Sequence, residues 1–183
     1  MPSVKVIALA AVFAVGTSGQ SAAGDLQAAG DVLQLAIPAA ALGITAFKQD
    51  GDGAWQLGAT YATTLGVTHA AKLGFEHTDW DRRPDGGNSS FPSGHTSSAF
   101  AGAAYLHFRY GWEYGLPAVA LASLTGYSRV EADKHHVRDV FAGALIGYGS
   151  AYLLTDAQNE NVTILPFAAV TKPSIGLVAK IRF

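Results

Sequence analysis

Arg83-Pro84, Pro92-Ser93-Gly94-His95, and Ser128-Arg129 followed by His135 and Asp139 together supply the side chains needed to take a phosphoryl group onto a histidine. Displacing an alcohol from a phosphate monoester requires an in-line nucleophile, a proton donor for the departing oxygen, and positive charge around the equatorial oxygens. His135 and Asp139 are four apart, so on a helix they share a face, and the carboxylate can accept the Nδ1 proton of the imidazole. Nε2 is then free to attack phosphorus, and Asp139 stabilises the imidazolium character that grows. His95 is the second proton carrier, protonating the leaving oxygen and later accepting a proton from the hydrolytic water. Arg83 and Arg129 offer planar donor forks that match phosphate oxygens bidentately. Ser93 and the Gly94 amide stand just before an expected helix, where N–H groups without helical acceptors favour an anion.

Taken singly, each of these residues has a blander explanation. A lone histidine on an apolar helix is more often a structural residue, and a His–Asp pair at i, i+4 is commonly a surface contact. The set is harder to assign to coincidence. Only 14% of the chain is charged, yet charge concentrates in 76–85 and 129–139, which suggests one polar site built from two loops.

These motifs resemble the type 2 phosphatidic acid phosphatase (PAP2) superfamily, which also includes bacterial class A acid phosphatases and vanadium haloperoxidases. Arg83-Pro84 is similar to the second half of its first motif, Pro92-Ser93-Gly94-His95 to its second, and Ser128-Arg129 with His135 and Asp139 to its third. The similarity runs from about Lys72 to Leu154. The resemblance implies His135 as nucleophile, His95 as general acid and Asp139 as partner of His135. It implies Lys72, Arg83, Ser93, Gly94 and Arg129 as phosphate binders. There is one departure: the family's lysine stands seven residues before the motif-one arginine, where this chain has Glu76, and Lys72 stands eleven before Arg83. A four-residue insertion within 77–82 would restore Lys72 to the site, and Arg82 is the alternative cation.

His69, His77, Asp79, Asp81 and Asp85 could be considered for a metal. Oxygen-rich loops are more often solvated, and a phosphohistidine route needs no metal, so neither metal nor cofactor is expected. His136, next to the candidate nucleophile, would point about 100° away on a helix.

The length suits one domain with a real core. A formal charge of −2 without a basic stripe gives no reason to expect a nucleic-acid partner. No cysteine is present, which excludes disulfides and thiolate metal sites. Lys5, the apolar run 6–15 and the small residues ending Ser21-Ala22-Ala23 have the form of a secretory signal over 1–23. This implies export to a bacterial-type envelope, in a membrane with the site facing the periplasm, or alternatively a soluble periplasmic protein. Insertion in a membrane is favoured by the long apolar runs and by charge well below the ~25% of ordinary domains. Gly143 and Gly147, spaced as GxxxG, would permit close helix contacts.

Hydrophobic patterning and breakers place helices at about Asp31–Lys48, Ala54–Phe75, Thr96–Arg109, after a Gly111–Gly115 turn to about Ser128, and His135–Leu154. A long functional loop covers 76–94. Period-two alternation from Ile175 to Phe183, and strand formers in 162–171, point to a C-terminal hairpin. The expectation is an all-α, PAP2-like helical bundle over 24–160 with a short β-hairpin over 161–183. Its expected function is hydrolysis of phosphomonoesters or pyrophosphates, of an envelope lipid by resemblance. The alternatives are a vanadate-dependent haloperoxidase and a non-catalytic phosphate-binding envelope protein. Sequence alone leaves the oligomeric state open.

Overall fold

The structure, a computed structural model, describes residues 22–158 and, as backbone alone, the segments 162–169 and 174–181. Among the described residues five helices follow one another: α1 (Ala22–Phe47), α2 (Gly51–Phe75), α3 (Gly94–Tyr110), α4 (Trp112–Glu131) and α5 (Val137–Leu154). The fold carried by the described side chains is therefore all-helical. The leader expected over 1–23 lies, apart from Ala22 and Ala23, outside the described residues. So do the side chains of the expected C-terminal hairpin. The backbone there forms two segments, β1 (Val162–Ala169) and β2 (Ser174–Ile181), running antiparallel with Val162 opposite Ile181.

Several boundaries differ from the sequence-based expectation for local reasons. Asp31 does not open α1. The helix begins nine residues earlier, so Asp31 stands inside it. Asp50 is the cap of α2, accepting from the Gly53 N–H at 2.9 Å, and this draws Gly51 and Gly53 into the first helical turn. The expected five-residue turn between α3 and α4 shrinks to Gly111 alone, which reverses the chain at φ 87°, a backbone region that suits glycine. α4 continues to Glu131, which puts Arg129 in its last helical turn and not in a loop.

α3 is the central helix and packs against the other four. Its sequence explains how: Ala99, Ala101, Gly102, Ala103 and Ala104 are fully buried or nearly so, and small residues let four neighbours approach one axis closely. Gly143 and Gly147 of α5 face the α3 backbone. A Cβ at either position would collide with the carbonyl of Ser93 or of Ser97. The far end of the bundle is held by a buried ion pair in which Arg109 grips Asp50 through two bonds of 2.6 Å while donating to the Asp156 carbonyl at 2.9 Å.

Polarity is distributed inside out. α2 buries Gln56, Thr60, Thr64 and Thr68 on one face, while Trp55, Leu65, Val67 and Leu73 point outward. The same holds for Phe141 and Leu145 on α5, both more than half exposed. Among the described residues one helix, over Gly24–Phe47, is long and apolar enough to cross a membrane.

Gly147→Val should place side-chain atoms inside the α3 backbone and cost about 1–3 kcal/mol, the usual range for overpacking. Gly66→Ala, at a helical position with open space around it, should be neutral or stabilise by about 0.5–1 kcal/mol. Unfolding midpoints of the two purified variants against the parent check both expectations, and equal midpoints for all three would contradict the α3–α5 contact.

Candidate active site

Two irregular segments meet at the end of the bundle where α2 and α4 finish and α3 and α5 begin. The first is 76–93 and the second 132–136. They are tied by main-chain bonds, Asp85 N–H to the Asp133 carbonyl at 3.1 Å and Ser93 N–H to the Asp139 carbonyl at 2.9 Å, and by Lys134 to Asp85 at 2.9 Å. Ser89 and Asp133 adopt positive φ of 61° and 54°, conformations that cost non-glycine residues stability and persist because the surrounding bonds fix them.

Asp139 is the buried anchor. It is wholly inaccessible, and its Oδ2 accepts from the Ser90 hydroxyl at 2.6 Å and from the His136 N–H at 2.9 Å. The second contact is half of a capping box: His136 is the N-cap of α5 and Asp139 the third helical residue. His135 therefore precedes the helix instead of lying on it. The shared helical face expected for His135 and Asp139 does not exist, and a turn brings the two together instead. Their Nδ1–Oδ2 separation is 3.8 Å, an ion-pair distance too long for a hydrogen bond. His135 Nδ1 and Asp139 Oδ1 are both buried without hydrogen-bond partners.

His135, His95, Arg83 and Arg129 line one cavity of about 190 Å³, together with Gln27, Asp31 and Lys134. The two imidazoles and two guanidiniums expected to converge thus do so. Arg83 brings a buried Nε–H that has no partner. The Arg129 guanidinium is spoken for: it donates to Ser128 Oγ at 3.1 Å, to Asp31 at 2.7 Å and to the Gln27 carbonyl. Lys72 reaches the site from the last turn of α2, donating to the Ser89 carbonyl at 2.6 Å, with its Cε beside Gly94. Arg82, the alternative cation, is exposed, and its carbonyl meets His136 Nε2 at 3.2 Å.

Ser93 and Gly94 are placed differently from one another. Ser93 is fully buried, and its hydroxyl caps α3, accepting from Thr96 Oγ1 at 2.9 Å. Gly94, the first helical residue, is partly exposed, and its N–H has no acceptor within the helix. His69, His77 and Asp79 are exposed, Asp81 accepts from the Ser89 N–H, and Asp85 pairs with Lys134. Among the described residues no group of three or more metal-ligating side chains comes together.

Sequence reasoning missed Asp31, Gln27, Lys134 and Ser90. Asp31 stands 52 residues before Arg83, and only packing of α1 against α4 brings it in. Ser90 and Lys134 stand beside the motifs, so proximity was the available signal.

Burial, reinforced by Lys72 and Arg83, pulls the His135 imidazole down to about 4 against Asp139, which acts in the opposite sense. Burial and the Arg129 charge also lower His95, with Asp31 opposing. Lys72 is lowered by burial and by Arg83.

Residues 53–163 match the PAP2 superfamily. The lipid A 4'-phosphatase of Helicobacter pylori strain J99 is 50% identical over 64 residues, 35% of this chain and 32% of that protein. The lipid A 1-phosphatase of the same strain is 31% identical over 135 residues, covering 71% of this chain and 67% of the relative. The crystal structure of Aquifex aeolicus LpxE superposes with a TM-score of 0.52 at 24% identity, over 67% of this chain and 83% of that one. The chain spans about a third or less of the length of several curated relatives that it matches through the motif region.

The folded state holds the His135 imidazole neutral down to about pH 4, whereas an unfolded chain protonates it near 6.5. Between those values the unfolded state binds the extra proton, so acid weakens the fold over that window. NMR titration should give a His135 midpoint near 4, and His135→Gln should flatten the acid sensitivity of the unfolding midpoint; a midpoint at the ordinary histidine value would contradict the burial.

Proposed function

The chain belongs to the PAP2 superfamily, and from that premise we propose that it is a phosphatase acting on a phosphorylated envelope lipid through a phosphohistidine formed on His135. The observation that carries this is the single cavity onto which His135, His95, Arg83 and Arg129 open. A phosphate there would meet the Arg83 guanidinium, Arg129, for which it would compete with Asp31, Lys72 behind Gly94, and the Gly94 amide at the positive end of α3.

The reaction divides into two displacements. The neutral His135 nitrogen attacks phosphorus, the bond to the alcohol oxygen breaks, and protonated His95 delivers its proton to that oxygen. Water then attacks the phosphohistidine, giving its proton to the now neutral His95, and inorganic phosphate leaves. Closing the 3.8 Å gap between His135 Nδ1 and Asp139 Oδ2 would give the buried, unpartnered Nδ1 an acceptor, and would do so as positive charge grows on the ring. Ser93 serves by capping α3 and holding the Gly94 amide in place, a positioning role in this scheme. Lys72 takes the motif-one lysine role in preference to Arg82.

Two observations support a lipid substrate. The helices turn apolar side chains outward and polar ones inward, which suits contact with acyl chains, with the cavity at the rim of that apolar belt. The relatives named above are lipid A phosphatases. In this reading the protein sits in a bacterial envelope membrane, exported by the leader expected over 1–23, with the cavity on the periplasmic side. The C-terminal hairpin over 161–183 belongs to this proposal as an appended element, supported by period-two alternation and by the antiparallel backbone pairing.

His135→Ala should reduce phosphate release from lipid A and from diacylglycerol phosphate in detergent by about 10⁴-fold or more with the unfolding transition retained. His95→Ala should cost ~10²–10⁴-fold. In the parent, kcat/KM should rise with pH on a limb near 4 for His135 and fall on a limb below 6.5 for His95, because one ring must be neutral and the other protonated. Parental turnover by His135→Ala would end the phosphohistidine scheme.

A further inference from the structure

The site holds a second carboxylate that the catalytic scheme does not use. Asp31 lies in the third turn of α1, and its Oδ1 is 2.9 Å from His95 Nε2 and 2.7 Å from an Arg129 terminal nitrogen. One oxygen atom thus receives both the proton carrier and a phosphate-binding guanidinium. Its surroundings are built to hold it there. Gly30, the residue before it, packs so closely on Ser128 and Arg129 that no Cβ would fit, and the Gln27 carbonyl one turn earlier takes the other Arg129 nitrogen. The Arg129 side chain is nearly inaccessible, while that of Asp31 is 44% exposed to the cavity mouth.

We propose that Asp31 is a positioning residue that orients His95 and Arg129 from a single carboxylate oxygen, favouring the proton-carrying form of His95 while weakening the hold of the cavity on anions. The two effects share a cause, a fixed negative charge beside the phosphate position. The charged groups facing His95 are Asp31 from α1, Arg129 from α4 and Arg83 from the 76–93 segment, with Lys134 and His135 lining the same cavity. Burial and the charges of Arg129 and Arg83 disfavour a positive charge on the ring, and Asp31 is the group that offsets them. An incoming phosphate oxygen would compete with the carboxylate for Arg129 and meet its repulsion. The roles given to His95 and Arg129 come from the phosphatase proposal above, but the contacts themselves do not depend on it.

Asp31→Asn removes the charge and keeps the shape. NMR titration of labelled imidazoles should find the His95 midpoint at lower pH than in the parent. Inorganic phosphate, measured by direct binding at low salt, should bind about 3–10-fold more tightly. Turnover at neutral pH should fall roughly tenfold, without a rise in KM, as the acid form of His95 is depleted. Asp31→Glu, which restores the charge, should recover part of all three. If Asp31→Asn does not fold, Asp31→Ser carries the same expectations. A folded variant whose His95 midpoint is unmoved, or whose phosphate affinity is unchanged or weaker, overturns the assignment even if turnover falls. Titration and phosphate binding need no turnover, so a parent protein that released no phosphate would remove the catalytic reading and leave this test intact.

Discussion

The buried carboxylate of Asp139 is the point on which the site depends. Two parts of the chain meet on this residue: from 76–93 the Ser90 hydroxyl donates to Oδ2 and the Ser93 amide to its carbonyl, and from the start of α5 the His136 amide donates to Oδ2. Hydrogen bonds to a charged acceptor contribute about 1.5–3 kcal/mol each, and a buried donor left without one carries a desolvation penalty of similar size. The 76–93 segment that leads into α3 and the cap of α5 are therefore fixed by a single residue. His135 gains its position indirectly. It is the residue before a cap that Asp139 holds, so the same carboxylate that would steady its charge also sets where its ring stands.

The helices supply a frame suited to that arrangement. A central α3 whose buried stretch 99–104 is mostly alanine and glycine lets four helices crowd one axis, and the N-termini of α3 and α5 end beside each other. Their first turns present amides without helical acceptors on the same side as Lys72, Arg83 and Arg129. Positive potential at the cavity thus has two origins, side-chain cations and helix ends. Burial first, and then the Lys72 and Arg83 charges, hold His135 toward its neutral form.

Buried polarity inside and apolar side chains outside are two aspects of one design. Threonines and serines in the core bond to one another or to helix carbonyls, as Thr68 does with Ser97 and Ser150 with the Ile146 carbonyl, so few polar groups are left to face outward. The outer faces are then free to be apolar, and the charge the chain does carry gathers at the two ends: Asp50 with Arg109 at one, the candidate active site at the other.

The site was legible wherever residue type and short spacing carry the chemistry. Two histidines, two arginines and an aspartate in three short motifs implied a phosphate site, and four of them line one cavity. Helix count and the all-helical class were legible from apolar runs and breakers. Details set by hydrogen bonds between segments were not. His135 and Asp139 at i, i+4 looked helical because spacing cannot reveal that a capping box starts the helix one residue after the histidine. Asp31 had the look of a helix start, since an acidic residue before an apolar run is a capping signal, and nothing local says that its partners lie 64 and 98 residues away. Sequence determines which groups are available and which backbone they favour, because those preferences act over a few residues. Tertiary packing alone decided which acceptor each donor reached, because a hydrogen bond depends on ångström-scale placement that only the assembled bundle fixes.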